Sequence, residues 1–389
     1  MNRGQTVFAQ ILQVISHNDF YGCVKRYDGD RRIRSLSCWE HFLAMVFAQL
    51  TRREGLRDIE VSLAAHRRQL YHAGFRSTVK RSTLADANET RDWRIYSDFA
   101  QQLIQQARPL YRDVDLGLDL EGTLYALDSS VIDVCLTLFP WAPFERSRAA
   151  IKLHTLLDVQ SSIPVLIDIT GAHTGDSNVL DRIIPEPGSF IVMDRGYVDY
   201  LRLYRLHQAS AYFVLRAKRD LQFRRRRSHT IDRSTGVRSD QTIVLSGKYS
   251  FRKFPARLRR VSFHAADIDK RFVFLTNNFH IPSATVAAIY RQRWQIELFF
   301  KWIKQHLRIK RFYGTSPNAV KIQIWTAMAA YALIAILKKR LGLQHSLYTI
   351  LQILSTTLFE KTPAQLVFQR YDDEISNSPT SNQLELFEI

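Results

Sequence analysis

GTLYALDSSVIDV, residues 122–134, is an apolar run that ends in an acid, Asp128, and then resumes with β-branched residues. IKLHTLLDVQ (151–160) and IPVLIDITGA (163–172) have the same texture, and the short breaks between the three runs predict hairpins. DSNVLDRII (176–184) follows as a helical piece that Asp176 or Ser177 is placed to cap. SFIVMDRGY (189–197) is a compact strand closing on Asp194 and Gly196, and a helix (DYLRLYRLHQAS, 199–210) and a strand (AYFVLRAK, 211–218) come after it. The order β-β-β-α-β-α-β predicts an α/β fold, a mixed sheet with helices on its faces, whose first part spans 120–216.

Upstream, residues 1–115 read as an all-α N-terminal domain; the basic residues that dot its helices suit either a reader of DNA ends or a plain solvated helical bundle. SCWEHFLAMVFAQL (37–50) opens with Ser37 and Glu40 at capping-box spacing. LRDIEVSLAAHRRQLYHAG (56–74) is periodic until Gly74, and RDWRIYSDFAQQLIQQARPLY (91–111) gives a third helix. Downstream, residues 216–260 hold 15 Lys or Arg against three acids, densest at FRRRRSH (223–229). Interleaved Phe, Tyr and Val make 217–270 a folded, basic β-rich insertion rather than a loop. FVFLTNN (272–278) returns to core strand, and 271–370 is expected to complete the sheet domain with further helices. The tail, 371–389, has five acids and no Lys or Arg, and is expected to be unfolded.

The chain has 389 residues and a formal net charge of +18. That surplus points to a polyanion, nucleic acid before an acidic membrane surface. No apolar leader stands in MNRGQTVFAQILQ, and Cys23, Cys38 and Cys135 lack metal-ligand spacing, so a cytoplasmic protein with reduced, buried thiols is expected. IWTAMAAYALIAIL (324–337) is too short to span a bilayer and reads as a buried core helix, so no membrane partner is expected.

The chemistry centres on YRQRWQIELFFKWIKQHLRIKRF (290–312), a basic aromatic stretch with one acid, Glu297. Read as one continuous helix, it puts Tyr290, Arg293, Trp294, Glu297, Lys301, Lys304 and Arg308 on one polar stripe and Ile289, Ile296, Phe299, Phe300, Ile303 and Leu307 on its buried side. Glu297 there is either an ion-pair partner of Arg293 or Lys301 or part of a site. Asp128 and Asp194 each close an apolar strand, where an acid is costly unless paired or coordinating. Two strand acids and one on a covering helix supply oxygen ligands suited to hard divalent cations, which in pairs can clamp a phosphoryl transfer. Asp133, Asp168 and Asp176 compete for these roles, Asp133 foremost.

Tyr290, Arg293, Glu297 and Lys304 fit the pattern Y-x2-R-x3-E-x6-K, which resembles the signature of bacterial insertion-sequence transposases of the DDE type. LD at Asp128 and DRGY at 194–197 match that family's first two acidic motifs, and GQTVFAQILQVIS (4–16) with RREGLRDIEVSLAAH (52–66) looks like the helical domain of one subgroup. The resemblance implies a ribonuclease-H-like core in which Asp128, Asp194 and Glu297 bind two Mg²⁺ or Mn²⁺ ions and water, then a 3′-hydroxyl, attacks a phosphodiester. It further implies phosphate contacts from Tyr290, Arg293 and Lys304, with Lys301 a further candidate. Trp294 matches an aromatic that stacks on DNA; on the residues alone it is either that or core packing. Implied partners are the element's terminal inverted repeats, target DNA and a second copy in a homodimer. QLELF resembles the peptide by which bacterial proteins dock on the sliding clamp, which would engage Gln383, Leu384, Leu386 and Phe387. Two other functions share these features: a nuclease of the same fold without strand transfer, and an inactive copy that binds DNA as a repressor.

Overall fold

The structure, a computed structural model, describes residues 4–145, 148–307, 309 and 311–377. In chain order the helices α1 (Val7–Leu12), α2 (His17–Arg26), α3 (Cys38–Leu50), α4 (Leu56–Ala65), α5 (Arg67–Leu70), α6 (Arg81–Thr90) and α7 (Trp93–Ala107) come first. The sheet region then interleaves strands with helices: β1 (Leu124–Val134), β2 (Pro143–Glu145), β3 (Arg148–Asp158), β4 (Ile163–Gly171), β5 (Phe190–Met193), α8 (Tyr200–Gln208), β6 (Tyr212–Arg216), β7 (Phe223–Ser228), β8 (Val237–Leu245), α9 (Lys248–Lys253), β9 (Leu258–Ala265) and β10 (Lys270–Thr276). Last come α10 (Ser283–Arg291), α11 (Trp294–His306), α12 (Pro317–Arg340), α13 (Leu347–Thr357) and α14 (Ala364–Asn377).

Two compact units result, and the chain leaves the first and returns to it. One is helical and joins residues up to Leu110 with those from Gln305; the other runs from Tyr111 to Lys304. The sequence reading placed everything from 271 to 370 with the sheet. The helices after Gln305 instead belong with the N-terminal ones, for a reason visible in α12. Apart from half-buried Lys321, residues Ala319 to Leu337 of that helix are buried all round, so it has no broad solvent face and must be the centre of a bundle. Its apolar window is long enough to cross a membrane, but 94% of it is buried inside the protein, as expected for a core helix. Asn318 Nδ2 donates to the carbonyls of Asn88 (2.9 Å) and Arg91 (2.6 Å), and the Lys321 ammonium lies 4.5 Å from the centre of the Trp93 ring. The termini of this unit are stitched as well: Val7 and Phe8 donate to the Glu360 and Leu358 carbonyls at 2.9 and 2.8 Å.

Local signals hold in part. Ser37 and Glu40 form the expected capping box. The 56–74 run is interrupted at His66, and Gly74 ends its last turn in the left-handed region at φ 95°. Helix α14 carries its backbone to Asn377, seven residues into the segment expected to be unfolded, and 383–387 lie outside the described residues. Cys23 and Cys38 are buried, whereas Cys135 is exposed.

In the sheet unit the strands lie in the order β2-β3-β1-β5-β6-β10-β9-β8-β7, with β4 also pairing β3. β4, β3 and β1 are successively antiparallel, while β5 and β6 run parallel to β1. This is the ribonuclease-H-like arrangement, β1 at the centre with hairpins to one side and crossover strands to the other. The β-rich insertion is present, but not as a detached lobe: β7, β8 and β9 extend the same sheet beyond β10. The parity of the pleat sorts the faces. Tyr125, Leu127, Ile191 and Met193 share one core with Val179, Leu180 and Leu203 of the elements covering that side. Leu124, Ala126, Asp128 and Val192 point the other way.

The extension is held by an almost fully buried ion pair. Arg259 donates to Asp240 through Nε (3.0 Å) and Nη2 (2.6 Å), and through Nη1 to the Ile281 carbonyl at 2.6 Å. Removing one partner strands a buried charge. Asp240→Ala is therefore expected to cost about 3–5 kcal/mol in urea unfolding, with Asp240→Leu/Arg259→Met recovering most of the loss.

A second test lies in the helical unit, where His41 is fully buried. Its Nε2 lies 3.0 Å from Asn88 Oδ1 and its Nδ1 2.6 Å from Tyr96 Oη. Because the amide oxygen only accepts, Nε2 carries the proton, and the tyrosine hydroxyl donates to Nδ1. Burial, with the Arg91 charge nearby, holds the imidazole well below its usual value. The unfolded chain takes up that proton first as pH falls, so stability is lost below about pH 6.5 at up to about 1.4 kcal/mol per pH unit. Melting curves at pH 7.5 and 5.5 should show this loss, and His41→Gln should reduce it.

Candidate active site

Two of the three acids are brought together by strand register. β1 and β5 pair in parallel with Leu127 beside Met193, so the next residues, Asp128 and Asp194, stand side by side on one face of the sheet. Adjacent strands are about 4.8 Å apart. Asp194 leaves β5 as the cap of a short turn: its Oδ1 accepts from the Gly196 amide at 2.6 Å. A side chain at 196 would put its Cβ 2.9 Å from that same oxygen, so the carboxylate would have to shift to admit one.

The helix that supplies the third acid is not continuous. α10 ends at Arg291 and α11 begins at Trp294, with Gln292 and Arg293 in the break. Tyr290 thus belongs to α10, and Glu297 sits in the first turn of α11, where the helix dipole favours an anion. Arg293, in the break, reaches both ways. It donates through Nη1 to Asp128 Oδ2 at 3.0 Å and through Nη2 to Glu297 Oε1. The i, i+4 pairing weighed from sequence is real, but it is one half of a bridge to the sheet. The apolar side of the stretch, Ile289, Ile296, Phe299, Phe300, Ile303 and Leu307, is buried as expected.

Electrostatics report the convergence. Asp128 is pushed up to about 6, first by burial and then by the like charges of Asp194 and Glu297, against the pull of the Ser129 amide and Arg293. Among the described residues no three of His, Cys, Asp and Glu stand close enough together to hold an ion as placed. The donor chemistry nonetheless suits a hard divalent cation, since all three groups are carboxylates and the Arg293 guanidinium lies between two of them as a counter-charge. An ion there would have to replace Arg293 in that role.

The remaining residues of the stripe divide. Trp294 is 57% exposed, so it is not core packing, and Lys301 is exposed beside it. Lys304 Nζ donates to the Val131 carbonyl at 2.8 Å and so ties α11 to β1. Tyr290 packs its ring on Phe274, centroids 4.8 Å apart, with the Arg293 guanidinium 5.8 Å from its own centroid. Arg308 lies outside the described residues.

The competing aspartates are elsewhere. Asp133 is an odd number of residues from Asp128, so it faces the opposite side of β1, and it is exposed. Asp168 pairs with Arg182. Asp176 caps no helix; its carboxylate bonds Ser129 and Lys152.

Residues 120–333 match the model of the transposase DDE domain, and residues 3–76 match that of a domain of unknown function (DUF4372). The chain belongs to the DDE transposase family. It is 34% identical over 286 residues to the putative transposase y4zB of Sinorhizobium fredii, covering 72% of this chain and 77% of that one. It is 32% identical over 215 residues to the probable transposase for insertion sequence element IS5377 of Geobacillus stearothermophilus, 54% and 55% of the two chains. Among solved structures, a piggyBac transposase synaptic complex with hairpin DNA aligns over 96% of this chain and 86% of that chain at 12% identity, with a TM-score of 0.48. This DDE transposase is a DNA-cutting enzyme of the insertion-sequence type.

The Arg293 bridge makes a testable claim on stability. Arg293→Met leaves two partly buried carboxylates without their shared counter-charge, at an expected cost of about 2 kcal/mol in metal-free urea unfolding. Millimolar Mn²⁺ should then raise the melting temperature of the variant by more than that of wild type, because the ion no longer competes with a tethered cation.

Proposed function

We propose that the transposase cuts and rejoins the ends of its own insertion sequence with Asp128, Asp194 and Glu297 as catalytic acids and as ligands of two Mg²⁺ or Mn²⁺ ions. The observation that carries this is the convergence of those three carboxylates, from β1, β5 and α11, on one face of a ribonuclease-H-like sheet in a DDE transposase. Bound there, the ions would supply the Lewis-acid charge that activates an attacking oxygen and stabilises a leaving one. The chain's own residues then have separate tasks. Register keeps Asp128 and Asp194 adjacent, the Gly196 amide orients Asp194, and Lys304 pins the glutamate helix against β1.

Trp294 and Lys301 stand exposed beside the acids, where a phosphate backbone and an unstacked base would lie. Arg293 and Tyr290 are further DNA contacts, with Arg293 changing partner from carboxylate to phosphate. Lys304 would add its charge without leaving Val131. The four exposed arginines Arg224, Arg225, Arg226 and Arg227 on β7 offer a basic path at the other end of the sheet. Affinity built on such contacts falls steeply with salt. The same reading assigns the chain to the cytoplasm, acting as a homodimer on paired ends and target DNA, and docking on the sliding clamp through Gln383, Leu384, Leu386 and Phe387. The helical unit, matched to a domain of unknown function, is the candidate end reader.

A supercoiled plasmid bearing the flanking inverted repeats tests the site. Wild type should cut at the repeat ends with Mg²⁺ and not with EDTA, while Asp128→Asn, Asp194→Asn and Glu297→Gln bind the ends and fall to the EDTA level. Cutting that survives Glu297→Gln would leave that acid as a mere partner of Arg293. Ligation of cut ends into a target separates a transposase from a nuclease of the same fold.

A further inference from the structure

Asp176 holds a position that neither capping nor direct membership of the acid cluster explains. It begins a turn whose cap position is Gly175, and no side chain caps that turn. Its Oδ1 accepts from Ser129 Oγ at 2.7 Å and from Lys152 Nζ at 3.2 Å. Lys152 is tied down as well, donating to the Thr174 carbonyl at 2.9 Å. His154, 1% exposed, bonds Thr170 through Nε2, while its Nδ1 is buried without a hydrogen-bond partner, 3.9 Å from Asp176 Oδ1. Lys152 and His154 are alternate residues of β3, paired with Val131 and Ser129, so all four look out from the face of the sheet opposite Asp128.

Two short links cross from this cluster to the acids. Ser129, held by Asp176 through its hydroxyl, donates its amide to Asp128 Oδ1 at 2.8 Å. The turn that Asp176 begins (Asp176–Arg182) packs against the Arg195–Tyr197 turn that Asp194 caps through the Gly196 amide. Tyr197, next in the turn, is buried, and burial first, then the charges of Asp128, Asp176 and Asp194, keep it protonated. A fourth carboxylate beside three others raises the electrostatic cost of the site, so its placement calls for a return in geometry.

We propose that Asp176 is a positioning residue of the cutting site, bracing Ser129 and the Asp194–Gly196 turn from behind the sheet so that Asp128 and Asp194 present their oxygens in fixed register. Lys152, itself held by the Thr174 carbonyl, in turn braces Asp176. The inference rests on the assignment of Asp128, Asp194 and Glu297 as the metal-holding acids. A plain Lys152–Asp176 ion pair would affect stability alone, whereas a brace affects how tightly the acids take a cation. Groups one step removed from a metal typically change affinity or activity about 10–100-fold when lost.

The test uses the full chain with Mn²⁺ as probe, free ion followed by electron paramagnetic resonance, alongside Mg²⁺ titration of plasmid cleavage. Asp176→Ala and Ser129→Ala should each weaken Mn²⁺ binding about tenfold and raise the Mg²⁺ needed for half-maximal cutting by a like factor, with end-DNA binding in EDTA unchanged. The double variant should be no worse than the singles, because both remove one interaction. Ser129→Thr, which keeps the hydroxyl, should restore wild-type binding. If Asp176→Ala fails to fold, the two Ser129 variants decide. Wild-type Mn²⁺ affinity in Asp176→Ala or Ser129→Ala overturns the proposal, as does lost cutting with an unchanged metal requirement. If Asp128→Asn binds Mn²⁺ as wild type does, the assignment of the acids fails instead, independently of the brace.

Discussion

Arg293 sits where a strand acid and a helix acid would otherwise face each other across a partly buried gap. Three carboxylates on one face of a sheet repel one another, and burial removes the water that would screen them. A single guanidinium answers both problems, since its planar fork can serve two carboxylates at once. It does so from the break between α10 and α11. In an unbroken helix Arg293 would lie along the same stripe as Glu297; in the break it is free to reach back to Asp128 as well. The interruption of the helix, the register of β1 with β5, and the glycine after Asp194 are therefore parts of one arrangement. Each sets where negative charge is concentrated, and Arg293 makes that concentration tolerable.

How much of this could be read from the chain differs by kind of signal. Asp128 and Asp194 were legible because an acid at the end of an apolar strand breaks a strong local pattern. Glu297 was legible because it is alone among cations. Asp133 was the open competitor in sequence, where the family motif as much as position favoured Asp128; in the fold five residues along β1 is an odd step that turns Asp133 to the other face. The helix break was not legible: YRQRW contains neither Gly nor Pro, and apolar spacing continues through it. Nor was the role of Asp176, whose sequence context offers a convincing helix cap that the fold leaves unused. A trace of it was present in IKLHTLL, where Lys152 and His154 place two polar groups on one face of an otherwise apolar strand.

The larger misreading concerned architecture. The helices after Gln305 follow the glutamate helix in sequence, and proximity in sequence suggested proximity in space. What decides otherwise is the distribution of apolar surface. A helix buried on every side needs neighbours on every side, and those neighbours are α3, α6, α7 and α13. Local periodicity reports which face of a helix is apolar, but α12 has no polar face to orient it, so its partners are fixed only by tertiary pairing. The sheet unit is thereby a continuous segment inserted into a helical one, and the helical unit cannot be complete until both halves of its sequence are present.

The basic edge of the sheet has a consequence apart from any substrate. β7 ends a long run of hydrogen-bonded strands, and such a margin offers unpaired amides and carbonyls to any other extended chain. Its arginines, Arg224 to Arg227, are exposed in succession, and a register shift between Arg225 and Arg227 distorts the strand. Two copies meeting along this margin would oppose rows of like charge on mismatched ladders. An irregular strand crowded with guanidinium groups thus disfavours joining of two sheets along this edge.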